Sequence, residues 1–175
     1  MPARALQDTA PTMCPQPLNP DRLSDHIDVL YRAAWALCGS RHDAEDLVQE
    51  TFANVLKRPR LLRDNNELGY LLRVLRNAYA NHYRTATRRP ATRQLFEDDA
   101  SPTSESRVSA REIMESIASA PALYRDAIIA VDLLGLSYRE AARSLRTREA
   151  TITTRLHRGR QHIARQLINQ TTSPP

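Results

Sequence analysis

The sequence contains few of the residues on which several common architectures depend. Two cysteines, Cys14 and Cys38, are too few for a disulfide framework or a four-thiolate zinc site. Four glycines supply few of the tight turns that a hairpin-rich β fold needs. Aromatic residues make up 5% of the chain, so any core consists mainly of leucine, isoleucine, valine and alanine. These shortages favour a helical protein, and the scarcity of cysteine leads us to expect a cytoplasmic location.

Long apolar runs and catalytic signatures are missing as well. No stretch of about 18 apolar residues exists, so we expect no membrane insertion. The first residues lack the basic cluster and apolar core of a signal peptide. The sequence has no glycine-rich phosphate loop and no Gly-x-Ser-x-Gly motif, and its five histidines lack metal-ligand spacing. We therefore expect no enzymatic activity, no catalytic residue, no metal site and no cofactor.

The charged residues are unevenly distributed along the chain. Of 25 basic residues only Lys57 is a lysine, and the excess over 20 acidic residues gives a net charge of +5. Residues 57–93 carry a net charge of +8, residues 138–168 carry +6, and residues 94–106 between them carry −4. A GC-rich genome could account for the arginine bias. The clustering, however, favours two nucleic-acid-facing modules separated by an acidic tether.

The pattern of apolar residues predicts an all-α protein made of two small helical domains. Residues 1–20 contain five prolines, which predicts a disordered tail. Three amphipathic helices are expected in the first domain, residues 21–89, because apolar residues recur there at three- and four-residue spacing. Residues 90–107 have the proline, serine and acidic content of a flexible linker. Helical spacing resumes in the second domain, residues 108–170.

The end of the second domain has the pattern of a helix-turn-helix. Ser137 and Glu140 have the spacing of a capping box at the start of a short helix. Arg146 occupies the turn position that usually holds glycine, and a second helix follows with Ile152 and Leu156 on its inner face. Such a second helix fits the major groove of DNA. The predicted DNA contacts of this module are Arg139, Thr151, Thr154, Arg155 and Arg158.

Two helices of the first domain have more than one interpretation from the residues alone. The acidic face around Asp43, Asp46 and Glu50 is explained better by solvation, taken alone, than by contact with a partner. The third helix interleaves tyrosines with arginines and asparagines. Its tyrosines could belong to the core, or the set could stack on and bond to unpaired bases.

Three segments together resemble one protein family. Residues 43–52 (DAEDLVQETF) resemble the second conserved region of bacterial sigma factors, and residues 70–77 (YLLRVLRN) resemble the segment that follows it. Residues 136–142 (LSYREAA) with residues 155–160 (RLHRGR) resemble the fourth region. The order and separation of the segments, over about residues 22–168, are similar to those of the extracytoplasmic-function group.

The resemblance implies a role for each module. The acidic helix would dock on core RNA polymerase. The loop before the third helix and the helix itself would capture the downstream promoter element with a base flipped from its stack. The helix-turn-helix would read the upstream element of the promoter DNA, and the acidic linker would run through the polymerase. An anti-sigma factor or another regulator would bury the DNA-binding faces. The implied polymerase contacts are Asp43, Asp46, Gln49 and Glu50. The implied downstream-element contacts are Asn65, Asn66, Glu67, Tyr70, Arg73, Arg76, Asn77, Asn81 and Arg84.

The sequence departs from the family pattern at three positions and leaves two rival functions open. The family commonly has tryptophan at Tyr70, a basic residue at Thr153 and glycine at Arg146, so the promoter sequence is not predicted. A stand-alone helix-turn-helix regulator would need a ligand or dimer domain in place of the acidic helix. A nuclease would need a metal carboxylate cluster, and the acidic face of the second helix has no second cluster to pair with.

Overall fold

The computed structural model describes residues 16–57, 61–62, 66–88 and 109–172 of the chain. Within these ranges the chain forms seven α-helices and one short antiparallel β ladder. The linker predicted at residues 90–107 and the first fifteen residues of the predicted tail lie outside the described residues. The all-helical class predicted from the sequence is confirmed, with helices in two groups on either side of that linker.

The first group contains three long helices. They are α1 (Ile27–Cys38), α2 (Arg41–Lys57) and α3 (Glu67–Arg88). Helix α1 ends at Gly39, whose φ of 75° lies in the left-handed region that favours glycine and whose amide donates to the Trp35 carbonyl at 2.8 Å. Leu30, Leu47, Leu71, Leu72 and Leu75 are fully buried where these helices meet.

The described chain before α1, residues 16–26, contains a short strand and two 3₁₀ turns. Strand β1 (Gln16–Pro17) pairs antiparallel with β2 (Leu61–Leu62), and two 3₁₀ turns, Pro20–Arg22 and Ser24–His26, lead into α1. Leu18 and Leu23 are buried in the core. Residues 16–20 of the predicted tail belong to this segment, and Leu18 packs there against the core.

The second group contains four shorter elements and one long helix. They are α4 (Ala110–Ser119), α5 (Ala122–Ile128), a π-helical turn (Ile129–Leu133), α6 (Tyr138–Ser144) and α7 (Glu149–Thr172). Helix α4 begins with a capping box in which Ser109 and Glu112 bond each other's backbone amides. Gly159 allows α7 to approach α5, because a Cβ there would lie 2.6 Å from the Ile128 side chain.

The two groups pack against each other and share one continuous apolar core. Helix α1 lies against α4, and α3 lies against α6. Four apolar residues that lie at helical spacing from buried ones are exposed: Ile27, Leu56, Ile113 and Leu123. They lie at the margins of their helices' apolar faces, where periodicity alone does not locate the neighbouring helix.

Candidate functional site

The acidic face of α2 projects away from the core. Asp43, Asp46 and Gln49 are exposed, while Leu47, Val48 and Val55 on the other side of the helix are buried. The Ser40 hydroxyl accepts a hydrogen bond from the Asp43 amide at 3.4 Å and so caps the start of this helix. Glu50 differs from the other three because it is half-buried and pairs with Nε2 of His82 on α3.

The start of α3 is built around Asn66 and Glu67. Oδ1 of Asn66 accepts a hydrogen bond from the Gly69 amide at 2.7 Å, so Asn66 is the N-cap of the helix. Gly69 leaves room for the Asn66 side chain in this cap, since a Cβ at position 69 would lie 2.6 Å from Nδ2 of Asn66. The carboxylate of Glu67 lies 3.1 Å from Nε2 of His26 and 3.5 Å from Nη1 of Arg22. Both residues of this predicted loop therefore have structural partners.

One side of α3 faces the second group of helices. Nη2 of Arg76 lies 2.5 Å from Oδ2 of Asp126 on α5. The guanidinium of Arg125 lies 5.6 Å from the centre of the Tyr79 ring. The buried Ser144 hydroxyl on α6 donates to the Gly69 carbonyl at 2.7 Å. Arg76, predicted as a DNA contact, is thus in contact with the other half of the protein.

The remaining predicted contacts of α3 lie at three- and four-residue spacing on one face of the helix, but their exposure differs. Asn77 and Asn81 are exposed, whereas Tyr70 and Arg73 are partly buried. Nε of Arg73 is buried and makes no hydrogen bond to any residue that the structure describes. Asn65 lies outside the described residues, as does the side chain of Arg84.

Helices α6 and α7 form the predicted helix-turn-helix. The Ser137 hydroxyl accepts from the Glu140 amide at 3.3 Å, and the Glu140 carboxylate accepts from the Ser137 amide at 2.9 Å. These bonds complete the capping box. The Ser137 hydroxyl also donates to the Glu140 carboxylate at 2.6 Å, and this bond, followed by the bond from the Ser137 amide, lowers the pKa of Glu140. Arg146 in the turn has a φ of 52°, in the left-handed region that glycine adopts more easily. The Thr147 amide bonds the Ala142 carbonyl at 2.9 Å and closes the turn.

The outer face of α7 carries the predicted upstream-element residues. Ile152 and Leu156 are buried, which confirms the inner face expected from the sequence. Thr154 and Arg158 are exposed, Thr151 and Arg155 are half-exposed, and Arg139 is exposed at the start of α6. The five residues lie in the first turn of α6 and the first three turns of α7, as the helix-turn-helix geometry requires.

Neighbouring contacts hold this module together. The Thr154 hydroxyl donates to the Ala150 carbonyl at 3.1 Å, and Nη1 of Arg158 lies 3.5 Å from the Tyr124 hydroxyl. Arg160 makes a two-pronged pair with Asp132, with bonds of 3.1 and 2.5 Å. Arg160 thereby fixes α7 to the π-helical turn.

The part of the chain that the structure describes has no metal-ligand cluster and no helix able to span a membrane. No three histidine, cysteine, aspartate or glutamate side chains lie close enough there to hold a metal ion. No described helix is both long and apolar enough to cross a membrane.

Several residues that shape these surfaces were not predicted from the sequence. His82, Asp126 and Ser144 each bind a residue from 32 to 75 positions away. Periodicity and capping motifs report only local structure, so no signal in the sequence could have paired these residues.

Comparison with known proteins agrees with the two-module organisation. The family described as Sigma-70 region 2 matches residues 23–89, and Sigma-70, region 4 matches residues 110–163. The sigma factor SigE of Mycolicibacterium smegmatis, of the extracytoplasmic-function group, is 29% identical to this chain. That match covers 91% of this chain but 65% of the length of SigE.

Two solved structures share the fold. The sigma factor RpoE of Bartonella quintana, solved with the anti-sigma factor NepR, matches with a TM-score of 0.66 and 23% identity over 86% of this chain and 98% of its own. CnrH, solved with the cytosolic domain of CnrY, matches with a TM-score of 0.62 and 19% identity over 87% of this chain and 88% of its own. The two sigma-70 regions together span well over half of the sequence, in the order and at the positions of the two helical groups. The chain therefore belongs to the sigma-70 family of bacterial sigma factors, in the extracytoplasmic-function group.

Proposed function

We propose that this protein binds core RNA polymerase, directs it to a promoter and helps to open the duplex. The single observation that carries the proposal is the presence of both sigma-70 regions on one chain, each coinciding with a helical group whose outer face suits its task. A stand-alone regulator has no use for the first of these regions.

Polymerase binding is assigned to the acidic face of α2. Asp43, Asp46 and Gln49 are exposed, so the fold leaves them accessible to a partner. Acidic side chains on a rigid helix favour a basic partner surface and speed the encounter with it. Glu50 is expected to contribute less than Asp46, because it is already paired with His82.

Downstream-element capture is assigned to the start of α3 and to its polar residues. Asn66, Tyr70, Asn77 and Asn81 offer amide and aromatic groups of the kind that bond and stack on unpaired bases. Flipping a base from its stack costs a few kcal/mol, and stacking on an aromatic ring contributes about 1–3 kcal/mol towards that cost.

Upstream-element reading is assigned to α7. Arg155 and Arg158 can bond guanine with two hydrogen bonds, and Arg139 is placed to meet phosphate. The Thr154 proton is already donated to its own helix, so its methyl group is the part suited to a thymine methyl.

Promoter binding requires the two helical groups to separate along the α3–α5 contact. Arg76 must leave Asp126 before it can contact a phosphate, and the Asp126 carboxylate would repel one nearby. A protein that holds the two groups together would therefore block DNA binding. The similar folds of RpoE and CnrH were each solved with a partner, NepR being an anti-sigma factor, and we propose an anti-sigma protein as a regulator of this chain.

Promoter opening provides the test of this function. Core polymerase and the purified protein would be mixed with genomic DNA fragments, and the fragments that bind to protein would be isolated. These bound fragments would then be treated with permanganate, which oxidises unpaired thymines. We expect reactive thymines at one position per fragment, and only when both proteins are present. If the protein alone binds duplex DNA and no thymine becomes reactive, the stand-alone regulator would be favoured.

A further inference from the structure

The chain from Gln16 to His26, here called the N-terminal brace, lies against the segment that leads into α3. Its first two residues pair through their backbones with Leu61–Leu62, and Leu18 and Leu23 anchor it in the core with 5% and 6% exposure. The Asn19 side chain caps the first 3₁₀ turn by accepting from the Asp21 amide at 3.0 Å. The brace is thus built as an ordered element that contacts the described residues upstream of α3.

The brace also contacts Glu67, the first residue of α3, through two side chains. The Glu67 side chain is only 12% exposed, and its two carboxylate oxygens are both engaged by the brace. Oε2 lies 3.1 Å from Nε2 of His26, and Oε1 lies 3.5 Å from Nη1 of Arg22. Hydrogen bonds to a charged group are stronger than neutral ones and hold a defined geometry.

Three independent contacts therefore converge within a few residues. The β ladder holds Leu61–Leu62, the Asn66 side chain caps α3, and the brace holds Glu67. Asn66 and Tyr70, which the proposed function assigns to the downstream element, lie within or next to this span. A binding segment that is ordered beforehand loses less conformational entropy on binding and discriminates better between ligands.

We propose that the N-terminal brace is a specificity-determining element for the downstream promoter element, with Arg22 and His26 acting as positioning residues through Glu67. In this arrangement the buried Glu67 carboxylate contacts the brace and does not contact a DNA base. It aligns the first turn of α3, and with it Asn66 and Tyr70. The inference rests on the proposed function, since it concerns how that same surface is held.

The test is a comparison of holoenzymes on single-stranded downstream-element DNA. The preferred sequence would first be selected with the wild-type holoenzyme, and affinities for it and for each single-base variant would then be measured. The variants are Arg22→Ala, His26→Ala and the double substitution. His26→Gln keeps a side-chain donor and serves as the conservative rescue. Arg32→Ala removes the same charge from an exposed arginine of α1 that bonds only its own helix among its described contacts, and serves as the matched control.

We expect the double substitution to lower the ratio of affinities between preferred and variant DNA by about tenfold, as expected for the loss of one or two charge-assisted bonds. Affinity for core polymerase should stay near wild type in all variants. Thermal unfolding should stay near wild type in Arg22→Ala, whose side chain is 57% exposed, and should occur at a lower temperature in the double substitution, because the 12% exposed Glu67 carboxylate then loses both partners. His26→Gln should retain most of the discrimination, and Arg32→Ala all of it. Equal loss of affinity for every DNA, or an unchanged ratio, would overturn the inference. A wild-type holoenzyme that selects no downstream sequence would instead overturn the proposed function.

Discussion

Arg76 on α3 and Asp126 on α5 form a salt bridge of 2.5 Å between the two sigma-70 regions. Asp126 is 8% exposed, and the Arg125 next to it lies over the Tyr79 ring of α3. The described structure is therefore a closed arrangement in which a helix assigned to promoter capture is in contact with the DNA-reading module.

Cys38 provides a natural probe of this closed arrangement. Its thiol lies at the end of α1, beside α4, and burial raises its pKa to about 12. Thiolate is the reactive form, so Cys38 should react slowly with a thiol reagent in a Cys14→Ser background. Asp126→Ala should speed labelling at neutral pH, because loss of the bridge makes separation of the two groups easier.

The matched control for this prediction is Asp132→Ala. Asp132 also binds an arginine, Arg160, but that pair lies within the second group of helices. Labelling of Cys38 should therefore stay at the wild-type rate in this variant. Equal rates in Asp126→Ala and wild type would show that the Arg76–Asp126 bridge does not hold the two groups together.

The acidic face of α2 gives a second prediction. Asp46→Lys combined with Gln49→Lys should weaken binding of core polymerase, because both exposed positions would then oppose a basic partner surface. Stability should change little, since exposed charges contribute about 0.5 kcal/mol or less each. The measurement is a titration of labelled protein with core polymerase. Asp28→Lys, an exposed reversal on α1, is the control and should bind normally.

The local parts of the structure were largely predictable from the sequence, and the long-range parts were not. The Ser137–Glu140 box, the positive φ at Arg146 and the buried face of α7 follow from rules that act over a few residues. The pairing of Arg76 with Asp126 joins residues 50 positions apart. Its partner could not be predicted, because an arginine on an amphipathic helix looks the same whether it faces DNA, solvent or another helix.

The candidate site shows the same division. The exposure of Asp46 and Arg158 agrees with the interfaces expected from the family resemblance, although their roles stay predictions. Asn66 and Glu67 were expected to contact DNA, and the structure places one in a helix cap and the other against the brace. The brace was not predicted, because the five prolines of residues 1–20 indicated a disordered tail.

A third prediction concerns promoter reading by α7. Arg155→Ala or Arg158→Ala should cost about 1–3 kcal/mol on DNA that carries the matching base, and less on other sequences. Arg139→Ala should weaken binding to all sequences and reduce the slope of log affinity against log salt by about one. Affinities would be measured with the holoenzyme on a panel of upstream-element variants at two salt concentrations. A uniform loss for both α7 variants across the panel would mean that these arginines bind only phosphate.

A fourth prediction concerns the cap of the helix-turn-helix. Ser137→Ala removes the main cause of the lowered Glu140 pKa, so this pKa should rise towards its ordinary value in an NMR titration. The folded protein should also lose about 1 kcal/mol of stability at neutral pH. Because the folded-state pKa is the lower one, the Glu140 contribution is present above its unfolded value and is lost as the pH falls through the folded value.

The gap in stability between wild type and Ser137→Ala should therefore narrow in acid. Ser137→Thr keeps the hydroxyl and should behave like wild type. If this difference in stability stays constant from neutral pH to below the Glu140 pKa, the charge of Glu140 does not contribute to the stabilising effect of the cap.

The most direct test of the sigma-factor function is run-off transcription by core RNA polymerase on the genomic fragments that the holoenzyme retains. We predict transcripts with one defined start per fragment only when this protein is present, and a strong reduction with Asp46→Lys and Gln49→Lys combined. The Asp28→Lys control should support wild-type levels. Binding of the protein to these fragments with no transcript, or equal transcription from core polymerase alone, would contradict the function proposed for this chain.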